Sequence, residues 1–181
     1  MLRWLSDNDW NVLRRLRLSA LRDSPAAFLS TYWQEASWTE EDWKAETKRG
    51  DWLVGLVGED AVGLLGATPG PDIAETERYL SYLWVTPSYR RRGMAKALIN
   101  RMLDCLDREG VTRVFLWVLG ENEVAYDFYG GLGFVTTGER QKLVHDPTRY
   151  EERMSLPLGL SQEALPEESP GSVVSHREHR P

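Results

Sequence analysis

The sequence contains very few residues of the types that bind metals or form disulfides. Its 181 residues include three histidines and a single cysteine, Cys105. One cysteine excludes an intramolecular disulfide and a cysteine-based metal cluster, a pattern typical of proteins in a reducing cytoplasm. Cys105 lies in a predicted helix between Met102 and Leu106, where a buried apolar thiol is expected rather than a nucleophile. We therefore predict a cytoplasmic protein without a metal site.

Long apolar runs and an excess of positive charge are also absent. No stretch approaches the roughly 18 apolar residues of a membrane span, and the N-terminus lacks the apolar core of a signal peptide. Lys and Arg number 22 against 28 Asp and Glu, which gives a formal net charge of −6. Proteins that bind nucleic acids or anionic membranes use net positive charge for long-range attraction. We therefore expect neither partner here.

The sequence does contain enough apolar material for one core. Hydrophobic residues make up 41% of the chain, and eight of them are tryptophans; a chain of this length can bury a sizeable core. From Pro157 onward, by contrast, there are four of the nine prolines and no aromatic residue. Such a segment cannot offset the entropy lost on ordering. We predict one domain over residues 1–157 and a flexible C-terminal tail over 158–181.

The periodicity of the apolar residues predicts an α/β fold. Residues 2–5 form a candidate strand, a helix begins near Asp7 or Asp9, and a second helical stretch runs from 26 to 49, with a possible second start at Thr39 and Asp42. A hairpin follows with strands over residues 52–57 and 61–67, and then a strand over 79–85. A helix over 94–108, a strand over 114–119 and a helix over 122–130 come next, and strands over 134–138 and 150–156 come last. This order predicts a mixed, mainly antiparallel sheet of about seven strands flanked by about four helices.

The segment from Leu83 to Ala95 joins a strand to a helix through a short basic loop. The first amides of a helix have no intrahelical acceptors, so they bind anions such as phosphate. Gly93 leaves room for close approach, and three consecutive arginines precede it. A P-loop and a dinucleotide-binding glycine motif are both absent from this segment. The alternative to an anion site is a solvated arginine cluster.

Two blocks of the sequence resemble the GCN5-related N-acetyltransferase (GNAT) superfamily. RRRGMA at residues 90–95 matches its Q/R-x-x-G-x-G/A signature, and VTPSY at 85–89 is similar to the usual V-x-P-x-Y before it. NEVAYDFY at 122–129, followed by Gly133 and Phe134, resembles the second block, N-x-x-A-x-x-F-Y with G-F. The two blocks and the elements between them imply the GNAT fold over residues 1–157, acetyl-CoA as co-substrate and, commonly, a homodimer.

The resemblance also implies which residues would bind acetyl-CoA. Amides at the helix start would hold the pyrophosphate, the arginines would face the phosphates, and the preceding strand edge would pair with the pantetheine arm. A main-chain N–H near Val85 would polarise the thioester carbonyl. Asn122 would hydrogen-bond the pantetheine arm, beside a wall that includes Ala125 and Phe128. The residues implied are Trp84, Val85, Arg90, Arg91, Arg92, Gly93, Met94, Ala95, Asn122, Ala125 and Phe128.

The catalytic roles implied by the resemblance are less complete. Tyr129 is the candidate general acid for the departing thiolate, with a helix-end tyrosine packed on the sheet as the alternative. Many family members carry a basic carboxylate at the position of Tyr79, so this sequence departs from the pattern. Glu77 is the first candidate for the base and Glu75 the second. A mechanism that uses water and no single base is the alternative.

The acceptor remains open at this stage. We expect a primary amine on a small molecule, because residues 58–78 carry five acids against one base and an acidic rim would attract a cationic amine. A protein N-terminus or a lysine is the alternative acceptor. A sensor that binds acyl-CoA without catalysis is an alternative of another class. The presence of both Asn122 and Tyr129 is evidence against this alternative.

Overall fold

Seven strands form one sheet whose two faces are covered by helices. This computed structural model describes residues 1–143 and 146–159, so most of the predicted tail lies outside the described residues. The strands are β1 Leu2–Trp4, β2 Asp51–Val57, β3 Asp60–Thr68, β4 Glu77–Val85, β5 Arg113–Leu119, β6 Val135–Leu143 and β7 Asp146–Pro157. The α-helices are α1 Trp10–Asp23, α2 Tyr32–Ala36, α3 Glu40–Lys48, α4 Met94–Arg108 and α5 Glu123–Gly130.

The topology confirms the predicted mixed sheet. The strand order is β1-β2-β3-β4-β5-β7-β6, and only the β4–β5 pair is parallel. The described residues contain five α-helices where about four were expected. The extra helix arises because the stretch predicted over 26–49 is divided into a 3₁₀ turn, α2 and α3. No helix among the described residues has the length and apolar character needed to cross a membrane.

Local hydrogen bonds explain where the short helices begin. Thr31 and Gln34 form a capping box at the start of α2, and Thr39 and Asp42 form one at the start of α3. Each box satisfies two backbone amides that a helix start leaves without partners. Asp9 stands at the start of α1, but its carboxylate accepts from Ser6 instead of capping the helix.

Two apolar clusters hold the sheet faces. One packs α4 against β5, with Leu98, Ile99 and Met102 completely buried. The other packs α1 and α3 against β2 and β3 around Trp43 and Trp52, which are also buried. Burial of such side chains contributes roughly 1.5–3 kcal/mol each, so both faces of the sheet are held firmly. Of the other tryptophans near Trp43, Trp38 packs against this second cluster and Trp33 is 81% exposed.

The sheet opens in its middle, where β4 and β5 separate. These strands pair only between Glu77–Tyr79 and Arg113–Phe115, although both continue for several residues beyond. The register between β3 and β4 shifts between Leu64 and Gly66, opposite the segment that contains Tyr82. Tyr82 has a φ of 61°, in the left-handed region that a bulky residue rarely adopts. The bulge turns β4 away from β5 and leaves a gap between the two strands.

Candidate functional site

Three contacts keep Tyr82 in its left-handed conformation. Its ring stacks on Trp52 with centroids 5.1 Å apart, and the Arg17 guanidinium lies 3.8 Å from its centroid. Its hydroxyl donates to Glu46 Oε1 at 3.1 Å. A non-glycine residue in this region costs on the order of 1–2 kcal/mol, which these contacts offset. The gap beside Tyr82 is therefore a fixed feature of the sheet.

A cleft of about 540 Å³ occupies the gap on the side of α4 and α5, and we call it the α4 cleft. The first turn of α4 borders it, and Gly93 at the helix start provides no side-chain cap. The amides of Met94, Ala95 and Lys96 are therefore left without an intrahelical acceptor. Gly93 has a φ of 82°, and a Cβ there would meet no atom within 4 Å. Glycine is required here by the backbone conformation, and the space above it is open to a ligand.

The three arginines before Gly93 have three different surroundings. Arg91 has a φ of 58° and borders the cleft with an exposed side chain. The Arg92 guanidinium lies over the Tyr89 ring, 5.4 Å from its centroid, and Arg92 is not among the residues that line the cleft. Arg90 lines the cleft but forms an ion pair with Asp23 and donates from Nε to the Val85 carbonyl at 2.9 Å. The resemblance implied that all three would face the phosphates or the outer nucleotide; Arg90 and Arg91 border the cleft, and Arg90 is held in its ion pair with Asp23.

Asp23 at the end of α1 fixes the end of β4 to that helix. Besides its ion pair with Arg90, Asp23 accepts a hydrogen bond from Trp84 Nε1 at 2.9 Å. The Trp84 side chain therefore packs with α1 and α3, on the face of the sheet opposite α4. Burial raises the pKa of Asp23, but the hydrogen bonds from Trp84, Ser24 and Arg90 outweigh it, and the pKa is lowered. Asp23 is thus ionised at neutral pH and keeps Arg90 paired.

The backbone of β4 borders the gap without a partner strand. The Thr86 amide donates to Val62 on β3 at 2.8 Å. Since backbone groups alternate sides along a regular strand, the Val85 amide points toward the gap. The Val85 carbonyl accepts a hydrogen bond from Arg90, whereas the Val85 amide remains available to an extended ligand. This is the edge that the sequence predicted at Trp84 and Val85.

The residues of the second motif form the far wall of the α4 cleft. Asn122, Ala125, Phe128 and Tyr129 all line it. Asn122 Oδ1 accepts from the Ala125 amide at 3.1 Å and so caps α5, which leaves the Asn122 amide group to donate to a ligand. Phe128 and Phe134 both hold the Tyr129 ring edge-on. The motif thus both starts α5 and fixes Tyr129 beside the gap.

A second cavity, of about 660 Å³, lies on the other face of the sheet beside α1, and we call it the aromatic cavity. Its wall includes Phe28, Trp38, Tyr79, Tyr82 and Trp117. The charged groups among its lining residues are Arg17, Glu35, Glu46, Arg49 and Glu151. The five acids predicted as a rim over residues 58–78 are not among the lining residues. Asp72, one of them, instead accepts from Tyr79 and Arg153.

The α4 cleft and the aromatic cavity meet in the gap between β4 and β5. Seven of the described residues line both spaces: Ala27, Phe28, Leu83, Trp117, Leu119, Tyr129 and Glu151. Two of them can exchange a proton, Tyr129 and Glu151. Burial raises the pKa of the Tyr129 hydroxyl above its ordinary value of 10, so it is a proton donor at neutral pH. Burial also raises the pKa of Glu151, against the opposing effect of a hydrogen bond from Gln141.

The structure does not bring Glu77, the predicted base, to this junction. Glu77 stands at the start of β4, where its carboxylate accepts from the Ala74 amide at 2.9 Å. It lines neither the cleft nor the cavity, and the same is true of Glu75. Glu151, which does reach the junction, lies outside both motifs and was missed. Only its register opposite Leu119 across β5 and β7 brings it there.

Comparisons with known proteins agree with this architecture. Residues 17–134 match the model of the Acetyltransferase (GNAT) family. Mycothiol acetyltransferase of Beutenbergia cavernae is 42% identical over 85 residues, which are 45% of this chain and 28% of that protein. The [ribosomal protein bS18]-alanine N-acetyltransferase of Escherichia coli is 32% identical over 99 residues, 55% of this chain and 67% of that protein. The chain thus spans little more than a quarter of the length of the first of these relatives.

A solved structure extends the likeness to the whole fold. The structure of yncA from Salmonella typhimurium, described with its cofactor acetyl-CoA, has a TM-score of 0.72 and 16% identity, and the match covers 93% of this chain and 98% of that one. At this identity the likeness concerns the fold alone. Because the family model matches well over half of the chain, this protein belongs to the GNAT family of acetyltransferases.

Proposed function

We propose that this protein transfers the acetyl group of acetyl-CoA directly to a primary amine. The observation that carries the proposal is the junction between the α4 cleft and the aromatic cavity, in which Tyr129 borders both spaces. Two substrates can enter from opposite faces of the sheet and meet there. Holding both reactants in one geometry removes much of the entropic barrier to a bimolecular reaction.

The α4 cleft fits acetyl-CoA. The uncapped amides at the start of α4 suit a pyrophosphate, and the exposed Arg91 and Lys96 add positive charge beside them. The Val85 amide of β4 suits a carbonyl oxygen of the pantetheine arm, which would lie in the gap like an added strand. Asn122, Ala125 and Phe128 would contact the same arm. When bound, acetyl-CoA supplies the activated acetyl group.

Tyr129 is the group that we assign to the leaving thiolate. Burial alone raises the pKa of its hydroxyl, without a contribution from a hydrogen-bonded neighbour, so its proton is not held by another side chain. Its raised pKa keeps that proton in place at neutral pH. Protonation of the sulfur makes the bond between carbon and sulfur easier to break.

The aromatic cavity supports a small amine as the acceptor. Its volume of about 660 Å³ lies within the usual range for pockets that enclose small ligands, about 300–1,000 Å³. Its aromatic wall and its carboxylates suit a cationic amine. The competing acceptor is a protein N-terminus, which is favoured by the likeness to an alanine N-acetyltransferase that acts on ribosomal protein bS18.

The test is release of CoA from acetyl-CoA with a panel of amines, followed by mass spectrometry of the products. The panel holds phenethylamine, putrescine and a tetrapeptide with a free N-terminal alanine. We expect acetylation of a small amine at a higher kcat/KM than that of the peptide. Faster acetylation of the peptide would support the protein acceptor. Tight binding of acetyl-CoA without turnover of any amine would favour an acyl-CoA sensor and overturn the proposal.

A further inference from the structure

Glu151 is a buried carboxylate that pairs with no cation among the described residues. It is 6% exposed, and its side-chain hydrogen bond within the described residues comes from Gln141 Nε2 to Oε1. Glu151 lines both spaces at their junction, and its Oε2 is not among the fully buried side-chain atoms that lack a partner, so it is open to a ligand or to solvent. Charges in such surroundings are normally paired. A free oxygen on a buried carboxylate therefore points to a ligand that supplies the missing donor.

The other charged groups of the aromatic cavity already have partners. Arg17 donates two nitrogens to Glu35, and the pair is almost completely buried. Glu46 accepts from Tyr82 and lies 3.5 Å from Arg49. Further along the Glu151 face of β7, Arg153 pairs with Asp72 and Glu139. The remaining titratable groups that line the two spaces are the tyrosines Tyr79, Tyr82, Tyr89 and Tyr129 and, on the α4 side, Arg90, Arg91 and Lys96.

The faces of the sheet put Glu151 opposite Tyr129. Glu152 contacts Tyr126 on α5, and Met154 packs in the same cluster as α4. Because side chains alternate along a strand, Glu151 points to the other face, toward the aromatic cavity. Tyr129 packs against the α4 cluster and reaches the gap from its own side. The two groups therefore approach the gap from opposite faces.

From this arrangement we infer that Glu151 is the catalytic base, which binds the ammonium group of the acceptor and removes its proton. The inference rests on the proposed function. The acceptor nitrogen transfers one proton to the Glu151 carboxylate, and its freed electron pair forms the bond to the acetyl carbon. The electrons of the carbon–sulfur bond pass to sulfur, which takes the Tyr129 proton. The second nitrogen proton restores Tyr129 through solvent, and the proton on Glu151 leaves to solvent, so one proton is released per turnover.

The experiment compares Glu151→Gln with a matched control, Glu152→Gln, on the other face of β7. Each is assayed with phenethylamine and with its β,β-difluoro analogue, whose amine is mostly neutral at pH 7. A neutral amine can attack without first losing a proton, so it does not depend on a base for this step. We therefore expect Glu151→Gln to lower kcat/KM about a hundredfold for phenethylamine and much less for the analogue. The acidic limb of the pH profile should also be lost in Glu151→Gln and retained in Glu152→Gln. Glu151→Asp should recover part of the activity.

Thermal unfolding gives a second measurement that is independent of turnover. A raised pKa in the folded state means that the native protein must hold a buried charge as the pH rises above the ordinary value of 4.5. Glu151→Gln should therefore melt at a higher temperature than the wild type at pH 8, and the difference should disappear near pH 4. Equal losses of activity with both amines, or no change in the pH profile, would overturn the role of Glu151. Failure of the wild type to acetylate any amine of the panel would instead overturn the proposed function, and the inference with it.

Discussion

Tyr129 and Glu151, which both line the junction, respond to their surroundings in the same way. Burial favours the neutral form of each. For the phenol this keeps the hydroxyl protonated at neutral pH, and it also makes the phenol a weaker acid. For a carboxylate it means a pKa closer to neutral pH, where a base is most effective. Burial therefore supports the role proposed for Glu151 more directly than the role proposed for Tyr129.

Replacement of Tyr129 by Phe tests the donor. We expect kcat to fall at least about tenfold with little change in the Kd of acetyl-CoA, because Phe keeps the packing of the ring against Phe128 and Phe134. Steady-state kinetics and isothermal titration with CoA separate the two effects. The raised pKa predicts that ionisation of Tyr129 produces no loss of rate below pH 10. An alkaline limb at lower pH that disappears in Tyr129→Phe would contradict this assignment.

At the scale of elements, the wall of the aromatic cavity depends on one buried ion pair. Arg17 on α1 and Glu35 on α2 are 3% and 1% exposed, and the guanidinium lies between the rings of Phe28 and Tyr82. Arg17 Nη1 has no hydrogen-bond partner among the described residues. The pair is thus the link that holds α2 and the segment before it against β4.

Removal of one partner should be far more harmful than removal of both. Glu35→Gln leaves a buried cation and should lower the free energy of unfolding by about 3–5 kcal/mol. The double variant Arg17→Met with Glu35→Leu should recover most of this loss. Urea unfolding measures both, with Glu40→Gln in the exposed pair of Glu40 and Lys44 as a control that changes stability far less. Equal stability of Glu35→Gln and the wild type would show that the pair is unimportant.

The start of α4 gives a prediction for the backbone. Gly93→Ala places a side chain at a φ of 82°, so it should destabilise the protein by about 1–2 kcal/mol and weaken binding of CoA at the helix start. Gly130→Ala is the matched control, because a Cβ there also meets open space but the residue is helical. That substitution should stabilise by about 0.5–1 kcal/mol. Thermal unfolding and calorimetry with CoA measure both effects, and unchanged CoA binding in Gly93→Ala would contradict the assigned anion site.

The elements were predictable from the sequence where local signals are strong. The helix over 94–108 and the capping box at Thr39 and Asp42 are as expected, since periodicity and caps act within a few residues. The β-bulge at Tyr82 contains no glycine, so the sequence gives no local signal that predicts it. The ion pair between Arg90 and Asp23 joins residues 67 positions apart. The position of Glu151 beside the gap depends on the register of β7 against β5. Such long-range pairings leave no local pattern, and this is why the sequence pointed to residues that line the α4 cleft but not to Glu151.

At the scale of the whole molecule, the net charge of −6 does not show how charges are distributed between the α4 cleft and the aromatic cavity. Arg91 and Lys96 line the α4 cleft, the ion-paired Arg17, Glu35, Glu46 and Arg49 line the aromatic cavity, and Glu151 lines both spaces. The two spaces meet where β4 and β5 diverge. An anionic and a cationic substrate can therefore enter from different faces without competing for one entrance.

This arrangement predicts that both substrates must be bound before any product leaves. The seven residues at the junction include no serine, cysteine, histidine or lysine that could carry the acetyl group, and Cys105 lines neither space. Initial rates measured over a matrix of acetyl-CoA and phenethylamine concentrations should give intersecting lines in double-reciprocal plots, and CoA should not be released without an amine. Parallel lines, or an acetylated protein detected by mass spectrometry after incubation with acetyl-CoA alone, would instead indicate a covalent intermediate. In that case the opening through the sheet would serve two successive half-reactions, and direct transfer between its faces would be wrong.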